Sequence, residues 1–151
     1  MNLRAFVDTN VWVYAVDTGE PTKRARAREV LAPGPDKDYV VSAQVLGEFY
    51  ATITGKLKNA VSASDASAFI QRMKGLPVIP VDVSMVDAAI AGTGVWGLSY
   101  WDSLIVAAAS AAGCTVVISE DMAHGGTYGS VRIENPFAAA PGADEPAVSG
   151  G

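Results

Sequence analysis

The feature that most restricts this chain is the alternation of short, β-branched apolar runs with segments patterned for helices. Leu3-Arg4-Ala5-Phe6-Val7 stops abruptly on Asp8, Thr9 and Asn10, after which Val11 to Val16 continues in a helical pattern. Thr115-Val116-Val117-Ile118-Ser119 repeats that design late in the chain and is followed by Glu120 and Asp121. A buried strand that ends on polar residues and runs into a helix delivers them to the C-terminal edge of a sheet, where open α/β folds bind ligands.

Between these runs the punctuation is regular. Glu20-Pro21 opens a helix carrying a basic run to about Leu31, and Pro33-Gly34-Pro35 ends it. Tyr39-Val40-Val41 predicts a short strand, and Ser42 caps a helix with Val45, Leu46, Phe49, Tyr50, Ile53 and Leu57 on one broad face. Ser62 with Asp65 reads as a capping box ahead of Ala66, Phe69, Ile70 and Met73. Pro77 to Val81 predicts a strand that its two prolines confine to an edge. Asp82 caps a helix through Val86, Ala89 and Ile90, and Ser99 opens another through Leu104, Ile105, Ala108 and Ala109. Val131-Arg132-Ile133-Glu134 alternates as a half-exposed edge strand does.

Strands separated by helices imply right-handed crossovers. The expected architecture is α/β, a three-layer α/β/α domain with a mostly parallel five-stranded sheet. A chain of 151 residues that is 50% hydrophobic supports one such core, over residues 1–137. The Ala/Pro/Gly/Ser-rich stretch 138–151 has nothing to bury and is expected to be a disordered tail.

Composition removes several chemistries. The sequence shows no uninterrupted apolar run of about 18 residues and no basic-then-apolar leader, so a soluble, cytoplasmic protein without membrane attachment is expected. One cysteine, Cys114, excludes an internal disulfide and a cysteine-based zinc cluster, and its apolar surroundings mark a small buried hydrophobe. His124 is the only histidine, beside Gly125 and Gly126, and reads as a surface residue of a mobile loop. The net charge of −5 argues against gripping nucleic acid mainly by neutralising phosphates. Lys23, Arg24, Arg26 and Arg28 hold four of the eleven basic residues, and a solvated helix face is the simpler reading of them.

The acids remain. Asp8 and Asp121 each follow one of the two most apolar strands, so both emerge at one edge of a parallel sheet. Asp102 lies in the first turn of a helix whose Ile105, Val106 and Ala109 share its face, and Glu48 sits beside Val45 near the rim of an apolar stripe. Each has an ordinary structural use: Asp8 as a helix cap, Ser99-x-x-Asp102 as a capping box, Glu48 as a solvated helix acid, Asp121 as a turn cap. Together they repel unless something positive lies between them. Mg²⁺ or Mn²⁺ supplies that charge through carboxylate oxygens, leaves coordination positions open for phosphate, and supports attack of water on a phosphodiester without histidine or cysteine.

Four ordered motifs carry a resemblance. Phe6-Val7-Asp8-Thr9-Asn10, Gln44-x-x-x-Glu48-Phe49-Tyr50, Tyr100-Trp101-Asp102-Ser103-Leu104-Ile105 and Ile118-Ser119-Glu120-Asp121-Met122 resemble those of PIN-domain ribonucleases, and their order and spacing resemble the VapC-type toxins of bacterial toxin–antitoxin pairs. The resemblance spans about residues 3 to 137. It implies metal-dependent endonucleolytic cleavage of RNA with Mg²⁺ or Mn²⁺ as cofactor. It makes Asp8 and Asp102 principal metal ligands, Glu48 a ligand or the group that orients water, and Asp121 a ligand directly or through water. Thr9, Asn10 and Ser119 then orient ligands or phosphate. It also implies a homodimer and a cognate antitoxin whose C-terminal segment lies near the acids and presents an arginine. Trp12, Tyr50, Trp96 and Trp101 line a groove, stack bases or, more simply, pack the core. Alternation points Glu120 away from its neighbour Asp121.

Two other readings stay open. A Mg²⁺-dependent phosphotransfer domain needs a late lysine, and none occurs after Lys74, while Asn10 takes the place of its second aspartate. A degenerate PIN fold acting only as a binding module is the other. The literal G-x-G-x-x-G at Gly92 to Gly97 follows a helical stretch rather than a strand, so it is read as a helix stop and loop, not a dinucleotide site.

Overall fold

The structure, a computed structural model, describes residues 3–57 and 59–138. The expected disordered tail, apart from Ala138, lies outside the described residues. The elements run β1 (Arg4–Val7), α1 (Thr9–Tyr14), α2 (Pro21–Leu31), β2 (Asp38–Ser42), α3 (Ala43–Gly55), α4 (Ala63–Met73), β3 (Val78–Ile79), α5 (Val83–Trp96), α6 (Tyr100–Ala111), β4 (Val116–Ile118), β5 (Thr127–Tyr128) and β6 (Val131–Glu134). Among the described residues no helix is long and apolar enough to cross a membrane.

The sheet has the order β3-β2-β1-β4-β6-β5, parallel throughout except for the β5–β6 pair. Side chains alternate across it, so Ala5, Val7, Val116 and Ile118 meet Ala27 of α2 on one face. Phe6, Val40, Val117 and Ile133 meet Phe49 of α3 and Ile105 of α6 on the other. Each fully buried Phe or Ile side chain contributes about 1.5–3 kcal/mol, so both faces are held by apolar burial. The predicted caps form: the hydroxyls of Ser42, Ser62 and Ser99 accept from the amides of Val45, Asp65 and Asp102, and the Asp82 carboxylate accepts from Met85 N.

Two expectations need correction. The sheet has six strands, not five, because Thr127–Tyr128 pairs antiparallel outside Val131–Glu134 and takes the edge position assigned to the latter. A two-residue strand between glycine-rich turns carries no readable period. The second concerns Gly92 to Gly97. Helix α5 runs through Gly92 and Gly94 to Trp96, and only Gly97, at φ 67, is the left-handed stop. Gly92 is there for close packing: a Cβ on it would stand 2.3 Å from Ser103 Oγ and 2.4 Å from the Trp96 ring. Ser103 Oγ itself donates to Ala89 O at 2.6 Å, locking α6 against α5.

Candidate active site

The register of the two central strands builds the site. Val7 pairs with Ile118, so Asp8 and Ser119 leave the sheet side by side, and Asp8 N donates to Ile118 O at 3.0 Å. Asp8 is only 5% exposed and takes up the helix-cap role read from the sequence, while its second oxygen turns to Ser119. Its Oδ1 caps α1 by accepting from Thr9 N at 2.7 Å, while Oδ2 accepts from Ser119 Oγ at 2.8 Å.

Asn10 stands among the acids. Its Nδ2 lies 3.4 Å from Asp8 Oδ2, 3.0 Å from Asp121 Oδ2 and 3.3 Å from Ser119 Oγ, and its Oδ1 accepts from Glu120 N at 3.1 Å. Asp121 N donates to Ser119 Oγ at 3.1 Å, so the loop after β4 is tied to both sides of Asp8. Glu48 joins from α3: its Oε1 accepts from Thr9 Oγ1 at 2.8 Å and its Oε2 from Gln44 Nε2 at 3.2 Å. Asp102, half-buried in the first turn of α6, completes the group.

The electrostatics bind the four acids together. Burial pushes the Asp8 carboxyl up from 3.8 to about 6, and the charges of Asp121 and Glu48 add to this against the Ser119 and Thr9 hydrogen bonds. Burial also raises Asp102, again with Asp121 and Glu48 contributing. Carboxyls raised by burial and by neighbouring carboxylates mark a site short of positive charge. The nearest donors are neutral: the amides of Asn10 and Gln44, the hydroxyls of Ser119, Thr9 and Ser99, and the Thr9 backbone N–H.

Glu120 is elsewhere, as alternation required. Its Oε1 accepts from Tyr14 OH at 2.6 Å and its Oε2 pairs with Lys23 Nζ. The basic helix is thus used within the molecule. Arg26 bonds Pro136 O and Glu29, and Arg28 bonds Ala15 O, while both stay exposed, so the basic face is solvated and also tied to its neighbours. His124 is exposed, but its Nδ1 accepts from Asn135 N at 3.0 Å, which fastens the turn before β5. Cys114 is buried, its thiol pushed up to about 11 by burial. Trp12 and Trp96 pack against the core, whereas Tyr50 and Trp101 are exposed on α3 and α6.

The donor set is hard oxygen throughout, which fits Mg²⁺ or Mn²⁺ and does not fit a thiophilic metal. Among the described residues no three acidic, histidine or cysteine side chains are gathered tightly enough to hold an ion as they stand. The amide of Asn10 spaces Asp8 from Asp121, and Thr9 and Gln44 engage both oxygens of Glu48. Sequence reasoning gave Gln44, Tyr14 and Lys23 no role. The four-residue helical spacing of Gln44 and Glu48 was a usable signal, whereas the Tyr14–Lys23–Glu120 cluster joins segments about a hundred residues apart and left none.

A separate apolar cleft of about 600 Å³ lies between α1, α2 and α4, lined among others by Trp12, Val16, Leu31, Phe49, Phe69 and Met73. None of the four acids lines it.

Comparisons place this geometry in context. No curated protein matches the chain in sequence. Its fold is similar to that of VapC20 from Mycobacterium tuberculosis, described as a toxin that cleaves the sarcin-ricin loop, with a TM-score of 0.63 and 21% identity over 78% of this chain and 91% of that one. It is similar to a chain of a toxin–antitoxin complex from Klebsiella pneumoniae, with a TM-score of 0.64 and 15% identity over 89% and 99% of the two chains. A chain of VapBC2 from Rickettsia felis, bound to a promoter DNA fragment, gives a TM-score of 0.60 and 16% identity over 88% and 98%. The family model described as the PIN domain matches residues 5–124, most of the sequence and all four acid-bearing motifs, and the chain therefore belongs to the PIN-domain family.

Proposed function

We propose that this protein is a metal-dependent endoribonuclease and the toxin of a toxin–antitoxin pair. The observation that carries the reading is the buried Asp8 carboxylate, raised to about 6, held with Glu48, Asp102 and Asp121 at one sheet edge with only neutral donors between them.

Asp8, Asp102, Asp121 and Glu48 are the residues that would hold Mg²⁺ or Mn²⁺. Such an ion supplies positive charge to a phosphodiester oxygen and lowers the pKa of water. The chain's own part is to hold the oxygens in place. Ser119 and Thr9 N fix the two oxygens of Asp8, and Asn10 fixes Asp121. Thr9 and Gln44 fix Glu48, the acid that orients water for attack on phosphorus as the ribose oxygen departs. Trp101, exposed beside Asp102 and edge-on to Tyr100 at 4.9 Å, offers a face on which a base can stack. A chain of net charge −5 has little to attract phosphate without an ion, so metal and RNA binding are coupled.

The similar folds include chains from toxin–antitoxin complexes, which supports an antitoxin partner here. The apolar cleft suits an amphipathic segment of that partner. A homodimer completes the reading; exposed Val83 and Ile90 on α5 give a second copy an apolar strip. A binding module without catalysis is the second reading, favoured by the open spacing of the acids.

The test is incubation of total bacterial RNA with purified protein, with Mg²⁺ or Mn²⁺ and with chelator, mapping new ends by sequencing beside Asp8→Asn. Discrete metal-dependent cuts absent from the variant are expected. No cuts and no bound Mn²⁺ would overturn the nuclease reading and favour the binding module.

A further inference from the structure

We infer that Gln44 is a positioning residue of the acid cluster, holding Glu48 in place at a cost to the stability of the fold. The inference rests on the nuclease reading above and extends it to a residue that touches none of the reacting groups.

Gln44 opens α3, one turn before Glu48. Its Nε2 donates to Glu48 Oε2 at 3.2 Å and reaches the backbone carbonyl of Trp101, beside Asp102, at 3.5 Å. Those two acceptors fix which way the amide faces, because a flipped side chain would set Oε1 against a carboxylate and a carbonyl. The consequence is visible at the other end of the group: Gln44 Oε1 is buried and has no hydrogen-bond partner. A buried acceptor left without a donor is destabilising. Such a position is filled more stably by an apolar side chain of similar length, unless the donor at the other end is needed.

That need follows from the geometry of Glu48. With Thr9 Oγ1 on Oε1 and Gln44 Nε2 on Oε2, its carboxylate is gripped from α1 and from its own helix. Without Gln44 it keeps one anchor and is free to swing about it. The same amide links α3 to the first turn of α6, so Glu48 and Asp102 share one brace.

The test compares Gln44→Met with the wild-type full chain. Gln44→Met keeps the volume and removes both the donor and the orphaned acceptor. The melting temperature should stay the same or rise. Mn²⁺ affinity measured by calorimetry on metal-free protein, and kcat for RNA cleavage at saturating Mn²⁺, should each fall by about tenfold or more, with KM for RNA unchanged once the metal site is filled. In a Glu48→Ala background Gln44→Met should change neither, because it acts through Glu48. Gln44→Glu, which keeps the shape but loses the donor, should show the same fall. Wild-type affinity and kcat in Gln44→Met would overturn the inference. So would a loss that tracks a fall in melting temperature, or one that persists in full without Glu48. If the wild type itself neither binds Mn²⁺ nor cleaves RNA, the nuclease reading fails and this inference falls with it.

Discussion

Glu120 and Asp121 are consecutive residues with opposite fates. Glu120 turns outward to Lys23 and Tyr14, where a fixed cation and a hydroxyl satisfy it and hold its carboxyl below the ordinary range despite partial burial. Asp121 turns to Asn10 and joins Asp8, Glu48 and Asp102, where the donors are neutral and burial, with the charges of Asp121 and Glu48, raises the carboxyls of Asp8 and Asp102. The fold neutralises a carboxylate where it serves structure. It leaves Asp8 and Asp102 under-compensated, and in the proposed function a cation from solution completes the group.

The largest effect expected from breaking this contrast is at Asp8. Asp8→Asn keeps a capping oxygen and removes the buried charge, so RNA cleavage should be abolished while the fold gains stability. The sign follows from the raised carboxyl. Below about pH 4 Asp8 is neutral in both folded and unfolded chains; as pH rises through about 6 the folded chain ionises it at a cost, and stability falls. Without metal, at pH 8, the variant should be more stable than wild type by about 3 kcal/mol, read by urea unfolding, and the gap should close toward pH 4. An equal gap at both pH values would contradict the assignment.

A smaller effect tests the frame behind the acids. Gly92→Ala places a methyl group where α5 meets Ser103 of α6, and should cost about 1–3 kcal/mol in thermal or denaturant unfolding. Unchanged stability would mean that the helices separate there without penalty.

The smallest belongs to the satisfied partner. Glu120→Gln removes a partly exposed ion pair and should cost about 1 kcal/mol or less, with RNA cleavage within about twofold of wild type. A loss of cleavage approaching that of Asp8→Asn would move Glu120 into the site and erase the contrast.

Much of this was legible because parallel strands export their C-terminal residues to one edge. Asp8 and Asp121 needed only the apolar runs before them, and Ser42, Ser62, Asp82 and Ser99 announced their helices by type and position. What stayed hidden depended on distant partners. Gly92 looks like a helix stop until Ser103 is seen against it, and which acid the amide of Asn10 meets shows only when Asp121, 111 residues away, is brought beside it. The ties of the basic run were hidden because Glu120, Pro136 O and Ala15 O, which Lys23, Arg26 and Arg28 meet, come from other segments.

The most direct measurement of the central claim is calorimetric titration of Mn²⁺ into metal-free wild type and Asp8→Asn at pH 7.5. The account predicts saturable binding to wild type, a matching rise in its melting temperature, and neither in the variant. Equal binding to both proteins, or none to wild type, would contradict the claim that these four acids are arranged for a cation.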